Sequence, residues 1–251
     1  MGGLFGLFGS GEFLPWAVDA DRRLVAAGAA AGRDPGPVLV VPTASAPEGD
    51  KVFYRWGAMG REHYRNMGFE PEVVELKDRA DAARHDIAAQ VAGASLIFFS
   101  GGNPAYVARI LAGSPFWSAV SAAVGAGTSL AGSSAGASFL GAVTLDSAAV
   151  ARGGPPSEYW VPGLRWFQAL IGPHWDAMER WRPGAKAEME ARVPEGCALL
   201  GVDEDTAVVG DGTSWEVMGR ATATVKPWGG ETSILGAGER FELALKAEQP
   251  T

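Results

Sequence analysis

Between Arg109 and Asp146 the chain runs for 36 residues without a single charge. A transmembrane helix takes about 20 consecutive, predominantly apolar residues, so length alone would allow a span here. The make-up of the run does not. Gly113, Pro115, Gly125, Gly127, Gly132 and Gly136 interrupt it, and Ser114, Ser118, Ser121, Ser129, Ser133 and Ser134 lie among them. Backbone freed by such breaks finds no partner in lipid. The segment therefore reads as helix, strand and sharp turn inside an α/β core, and no membrane partner is expected.

Such a core needs a chain long enough to enclose it. With 251 residues, 47% apolar and 20% charged, the sequence can bury roughly 70–75% of its unfolded surface and lies clear of disordered composition. No stretch of linker composition divides it, so residues 1–251 are expected to form one domain. Glycine is in excess, 35 residues where a usual share is roughly 7%, which implies many tight turns and close backbone approaches. The formal net charge is −8 with the basic residues scattered, which excludes a nucleic-acid groove. One cysteine, Cys197, permits no internal disulfide, and no CxxC pair or Cys/His cluster offers a zinc site. The expectation is a cytoplasmic protein with neither metal nor cofactor. The stretch from Met1 to Phe13 lacks the basic start and the length of a signal peptide, and Gly6 stands where the myristoylation pattern needs Ser or Thr.

Short apolar runs alternate with amphipathic stretches, the pattern of a mostly parallel central sheet flanked by helices. Strands are predicted at Leu4 to Phe8, Pro37 to Val41, Glu72 to Leu76, Ser95 to Phe99 and Thr128 to Ala131. Helices fall between them: one capped by Asp19 and running to about Ala31 with Gly32 at its end, one over residues 49–67 stopped by Gly68, and one from Ala80 to Ala92. Two more start at Ala105 and at Ser114, whose Ser-Pro pair supplies an N-cap and a favoured first residue. The C-terminal part is richer in β character, with strands at Trp166 to Ile171, Cys197 to Asp203 and Ala221 to Lys226, and a hairpin about Asp211-Gly212. Arg152 to Pro162 carries three prolines and two glycines and reads as a loop or lid.

The chemistry sits near the end of the charge-free run. Gly132-Ser133-Ser134-Ala135-Gly136 has the form G-x-S-x-G, in which small flanking residues let a strand turn abruptly into a helix and lift the central hydroxyl above the sheet. Ser134 is thus a candidate nucleophile near a positive helix N-terminus, with the Ala135 amide aimed at a developing oxyanion. A serine needs a base, and the chain has three histidines. His63 and His85 lie on the polar sides of predicted helices and read as solvated surface residues. His174 follows an apolar strand end, at the kind of edge where sites of open α/β sheets gather, and is a candidate to take and return the Ser134 proton. The third member should be a carboxylate that orients the imidazole. Asp203-Glu204-Asp205 ends an apolar strand, and alternation sends Asp203 and Glu204 to opposite faces. Asp146 and Asp176 are the rival acids.

In their order and spacing these motifs resemble the serine-peptidase family of dipeptidase E and cyanophycinase, whose fold is similar to the flavodoxin-like class I glutamine amidotransferases with serine in place of the usual cysteine. The resemblance covers nearly the whole chain, through Gly9-Ser10-Gly11-Glu12-Phe13, Phe99-Ser100-Gly101-Gly102-Asn103-Pro104, the Ser134 motif, Pro173-His174-Trp175 and Gly201 to Ala207. It implies Ser134 as nucleophile and His174 as base. The third residue is Glu204 by the cyanophycinase branch or Asp146 by the dipeptidase E branch, and the Asp203-Glu204-Asp205-Thr206-Ala207 string favours Glu204. Oxyanion amides at Gly102 and Ala135, a small peptide or amide substrate and, by analogy, a homodimer are implied too.

Cyanophycinases tend to carry an acid two places before the histidine and a glutamine after the Gly-Gly turn; Gly172 and Asn103-Pro104 stand there instead, which argues against a β-aspartyl-arginine polymer as substrate. Trp160, Trp166, Trp175 and Trp181 with Arg180 and Arg182 point to a different pocket, for which Asn103, Trp175 and Arg180 are candidate substrate contacts. Cys197 reads as a small core residue. The expectation is a serine peptidase or dipeptidase working through an acyl-enzyme. Two rival expectations stand beside it: the same triad acting on a non-peptide amide or ester, and a catalytically silent relative that binds a small ligand.

Overall fold

The structure is a computed structural model that describes residues 2–29 and 35–245; the predicted helix end at Ala31 and Gly32 lies outside them. In chain order the elements are β1 (Phe5–Phe8), α1 (Val18–Gly28), β2 (Val38–Val41), α2 (Asp50–Asn66), β3 (Pro71–Val73), α3 (Arg79–Ala82), α4 (His85–Ala89) and β4 (Leu96–Phe99). The charge-free region follows as α5 (Pro104–Leu111), α6 (Pro115–Gly125), β5 (Ser129–Ser133), α7 (Ala135–Ser138) and β6 (Val143–Leu145). Next come α8 (Ser147–Ala151), β7 (Trp160–Pro162), β8 (Ala169–Pro173), α9 (Met178–Trp181), α10 (Ala185–Ala191) and β9 (Ala198–Val202). The chain ends in β10 (Thr206–Gly210), β11 (Ser214–Gly219), β12 (Thr222–Lys226), β13 (Ser233–Gly236) and β14 (Arg240–Glu242).

Among the described residues the strands form two sheets. The eight-stranded sheet runs β14-β11-β10-β1-β5-β4-β2-β3. Its half from β1 to β3 is parallel, while β10, β11 and β14 add antiparallel. Alternation along its strands explains how both faces are covered. Val38, Val40, Leu96, Phe98 and Phe8 point to one side and pack with Leu24 and Val25 of α1 and Tyr64 of α2. Leu39, Val41, Ile97, Phe99 and Leu7 point to the other, against α5, α6, α7 and the second sheet. Each fully buried Phe or Leu in these layers contributes about 1.5–3 kcal/mol.

The second sheet has six strands in the order β13-β12-β9-β8-β6-β7, with β6, β8 and β9 parallel. Ile171, Leu200, Val202 and Val225 face the first sheet across the shared core, while Leu170 and Leu199 pack outward with Trp175 and with Met189 of α10. The predicted mixed α/β class with added C-terminal strands holds; the separate second sheet is new. Among the described residues no single helix is long and apolar enough to cross a membrane, and α5 and α6, which together would suffice in composition, meet at 92°.

Several local expectations change. The chain enters α1 through a 3-10 turn at Pro15–Ala17, so Asp19 sits in the first turn and caps nothing. The helix expected from Ala80 to Ala92 is two, because Asp78 caps α3 and Arg84 then takes an extended conformation ahead of α4. Trp160 to Pro162 is a strand paired with β6 rather than loop, and β13 and β14 follow the strand expected to be last. His85 is exposed, but His63 is buried. The stripe Phe53, Gly57, Gly60 and Tyr64 faces the sheet, and His63 beside it lies 2.8 Å from the Asp21 carboxylate, which also accepts from the Tyr64 hydroxyl at 3.0 Å. Burial pushes the Asp21 carboxyl up, against those two hydrogen bonds.

Candidate active site

Five strands end at one place. β1, β4 and β5 of the first sheet lead into Glu12, Gly102 and Ser134, and β8 and β9 of the second lead into His174 and Glu204. These are the carboxyl ends of parallel strands, where open α/β sheets leave a crevice. A cavity of about 990 Å³ lies at the other end of the first sheet, bordered by Ser95 and Thr128 just ahead of β4 and β5, away from these five residues.

β5 turns into α7 at Ser134, whose backbone takes φ 53° and ψ −117°. A left-handed φ in a residue with a Cβ costs on the order of 1–3 kcal/mol. The turn is so tight that a Cβ on Gly132 would strike the Gly136 carbonyl and one on Gly136 would strike the Phe99 carbonyl of β4, which is why G-x-S-x-G needs glycine at both ends here. The Ser134 amide donates to the Phe8 carbonyl at 3.1 Å, and its Oγ lies 2.7 Å from His174 Nε2. His174 Nδ1 is 3.1 Å from Glu204 Oε1. His174 also has a left-handed φ, 136°, and its carbonyl accepts from the Ala177 amide.

The rival acids are engaged elsewhere. Asp176 accepts from the Glu204 amide at 3.0 Å, so it seats the glutamate rather than the histidine. Asp203 turns away and accepts from the amide and hydroxyl of Thr222, the alternation predicted for this strand end. Asp146 accepts from the Ala148 and Ala149 amides as the cap of α8, and from Arg109. Burial works to raise its carboxyl, but Arg109 and those amides outweigh it and hold the group below the usual range.

Near Ser134, the amides of Gly102 and Ala135 have no hydrogen-bond partner among the described residues. Gly102 has φ 144°, and a Cβ there would collide with the Ala44 carbonyl. One residue with no role in the sequence reading ties this side together: Glu12, 4% exposed, accepts from the Gly101 amide at 3.0 Å and from the Ser133 hydroxyl at 2.6 Å. Its carboxylate therefore bridges the turn bearing Gly102 and the strand end bearing Ser134. A signal existed, since Glu12 is the only charge between Met1 and Val18, and a lone acid after a buried strand needs partners.

The candidate substrate contacts divide. Asn103 spends its side-chain oxygen capping α5 at the Tyr106 amide. Trp175 is buried, with its indole spread over Gly172 and Gly201 of adjacent strands, so it fixes the loops bearing His174 and Glu204 from beneath. Arg180 is exposed at the rim, 4.0 Å from the second Glu204 oxygen. Of the other tryptophans, Trp166 is core, while Trp160 and Trp181 line a cavity of about 300 Å³ beside Ser134 and His174. Cys197 is buried, and burial pushes its thiol up, away from the reactive thiolate. Among the described residues no group of His, Cys, Asp and Glu side chains is gathered to hold a metal ion.

Known proteins share the family pattern and the fold. The profile of peptidase family S51 matches residues 23–218. The crystal structure of a peptidase from an acI-B1 actinobacterium is 31% identical, is matched over 97% of this chain and 98% of its own, and superposes with a TM-score of 0.86. A putative peptidase E protein from Listeria monocytogenes EGD-e shares the fold at 14% identity, with a TM-score of 0.60 over 88% of this chain and 100% of its own. No curated protein matches the chain. With most of its length matched by one family profile and nearly all of it by a peptidase of the same shape, the chain belongs to peptidase family S51.

Proposed function

We propose that the protein is a serine peptidase that cleaves a small peptide amide through an acyl-enzyme on Ser134. The observation that carries this reading is the continuous relay from Ser134 Oγ to His174 Nε2 at 2.7 Å and from His174 Nδ1 to Glu204 at 3.1 Å. His174 Nε2 takes the Ser134 proton as Oγ bonds to the substrate carbonyl carbon, and Glu204 holds Nδ1–H and steadies the imidazolium. The amides of Gly102 and Ala135 receive the oxyanion. His174 then returns its proton to the leaving amine as the C–N bond breaks, and a water repeats the sequence to free the acid. The positive φ at Ser134 and at His174 supports a site held in place by its surroundings, as strained functional residues are.

A fluorophosphonate probe, which needs only an activated serine, tests the chemistry without knowledge of the substrate. Peptide mapping is expected to find the adduct on Ser134, with labelling slowed at least 100-fold in His174→Ala, the lower end of what a general base contributes. An adduct elsewhere, or labelling indifferent to His174, would overturn the mechanism.

A further inference from the structure

The cavity beside Ser134 holds about 300 Å³, the lower end of the roughly 300–1,000 Å³ spanned by small-ligand sites. It has room for one side chain and the reacting amide. Its floor is Leu170 and Met189, both buried in the same cluster as Trp175. Val143 and Leu145 form one wall, and Met178 and Trp181 of α9 close over the other. Trp181 is 63% exposed although its ring lies 5.1 Å from that of His174. A large aromatic left open beside the base is surface that a bound group would cover.

Beyond the reacting groups and the amides of Gly102 and Ala135, the buried polar side chains and the one lining arginine are already paired, while Ser147 and Trp181 are exposed. Ser138 and Thr144 hydrogen-bond to each other at 2.7 Å. Arg182 pairs with Glu188, whose other oxygen accepts from the Trp160 indole at 3.0 Å. Arg180 lies outside the lining, by Glu204. A carboxylate entering this cavity would meet no unpaired cation and a guanidinium no unpaired anion, and a charge buried without a partner is costly. From the apolar walls and the closed Arg182–Glu188–Trp160 set we infer that the preferred substrate carries a bulky apolar side chain, aromatic or branched aliphatic, next to the scissile amide. Aspartyl and arginyl side chains are disfavoured at that place. This specificity rests on the hydrolase reading above.

Two measurements separate the specificity from the chemistry. With the wild-type protein, dipeptides carrying Phe, Leu, Asp, β-aspartyl or Arg on either side of the amide should rank so that Phe or Leu at one position exceeds Asp and Arg there at least tenfold in kcat/KM. The tenfold figure is the lower end of what one methylene is worth in an apolar pocket. Trp181→Ala should raise KM for the Phe substrate about tenfold with little change in kcat. Equal or better cleavage of Asp or Arg substrates, or a uniform loss across the panel in Trp181→Ala, overturns the proposal, and continued fluorophosphonate labelling of Ser134 then shows that the chemistry survives. Calorimetry on Ser134→Ala needs no turnover: N-acetyl-phenylalanine amide should bind at least tenfold tighter than the aspartate analogue. If it does while the wild-type Ser134 resists labelling, the apolar pocket stands and the hydrolytic reading falls; if the aspartate analogue binds as well or better, the pocket assignment falls whatever the chemistry does.

Discussion

Ser134→Ala is expected to lower kcat for peptide hydrolysis by roughly a millionfold, and adding His174→Ala should lower it little further, because a nucleophile and its base fail as a unit. Glu204→Ala should cost less, on the order of 10⁴. Its side chain is 36% exposed, so water can take part of its place against His174 Nδ1. Asp146→Ala separates the two candidate acids. Asp146 caps α8 and holds Arg109, so its loss should appear as about 1 kcal/mol of stability with kcat within a few-fold of wild type. Steady-state kinetics on the four variants, beside denaturant unfolding of each, makes the check. A 10⁴-fold loss at Asp146 with a mild one at Glu204 would reverse the assignment.

The second large effect is expected at Glu12, which touches no substrate. Glu12→Ala strands the Gly101 amide and the Ser133 hydroxyl, both buried, at about 1–3 kcal/mol each. It also frees the Gly101-Gly102 turn to drift from the position that an oxyanion requires. Loss of one oxyanion donor costs about 10²–10³ in kcat, and a fall of that size is expected with KM nearly constant, since the oxyanion exists only along the reaction path. Glu12→Gln should recover most of the rate: its side-chain oxygen can accept from Gly101 while its NH₂ donates to a rotated Ser133 hydroxyl. A purely structural role would instead lower stability in both variants and leave the rate per folded molecule unchanged.

Much of the first sheet is legible in the chain because its strands are buried on both faces and so read as unbroken apolar runs, as at Val38 to Val41 and Leu96 to Phe99. The elbow is legible for a local reason, since only residues without bulk make that turn. What depends on distant partners is not. His63 sits in a string of polar residues, and nothing nearby indicates that Asp21, 42 positions away, waits to receive it. Trp175 follows the histidine like a pocket residue, but its place under the site is set by Gly172 and Gly201, which leave space for an indole. Gly57 and Gly60, part of the glycine excess, let α2 lie close on Val73 and Val40, a packing demand that appears only once helix and sheet are paired. Of the acids after β9, alternation separates Asp203 from Glu204, and the preference for Glu204 over Asp146 is legible in the string around it, whereas the engagement of Asp146 with α8 and Arg109 appears only in the fold.

Ser134 and the amides near it ride on one sheet, His174 and Glu204 on the other, and the 2.7 Å bond between serine and histidine crosses the seam. A slip of one sheet over the other by about 1 Å, enough to cost a misplaced group roughly 100-fold in rate, would leave every strand intact. Turnover therefore acts as a gauge of that seam. On gentle warming or in dilute denaturant, turnover is expected to fall before the far-UV signal of the strands does, and a simultaneous loss of both would show that the core shared by the two sheets gives way as one unit.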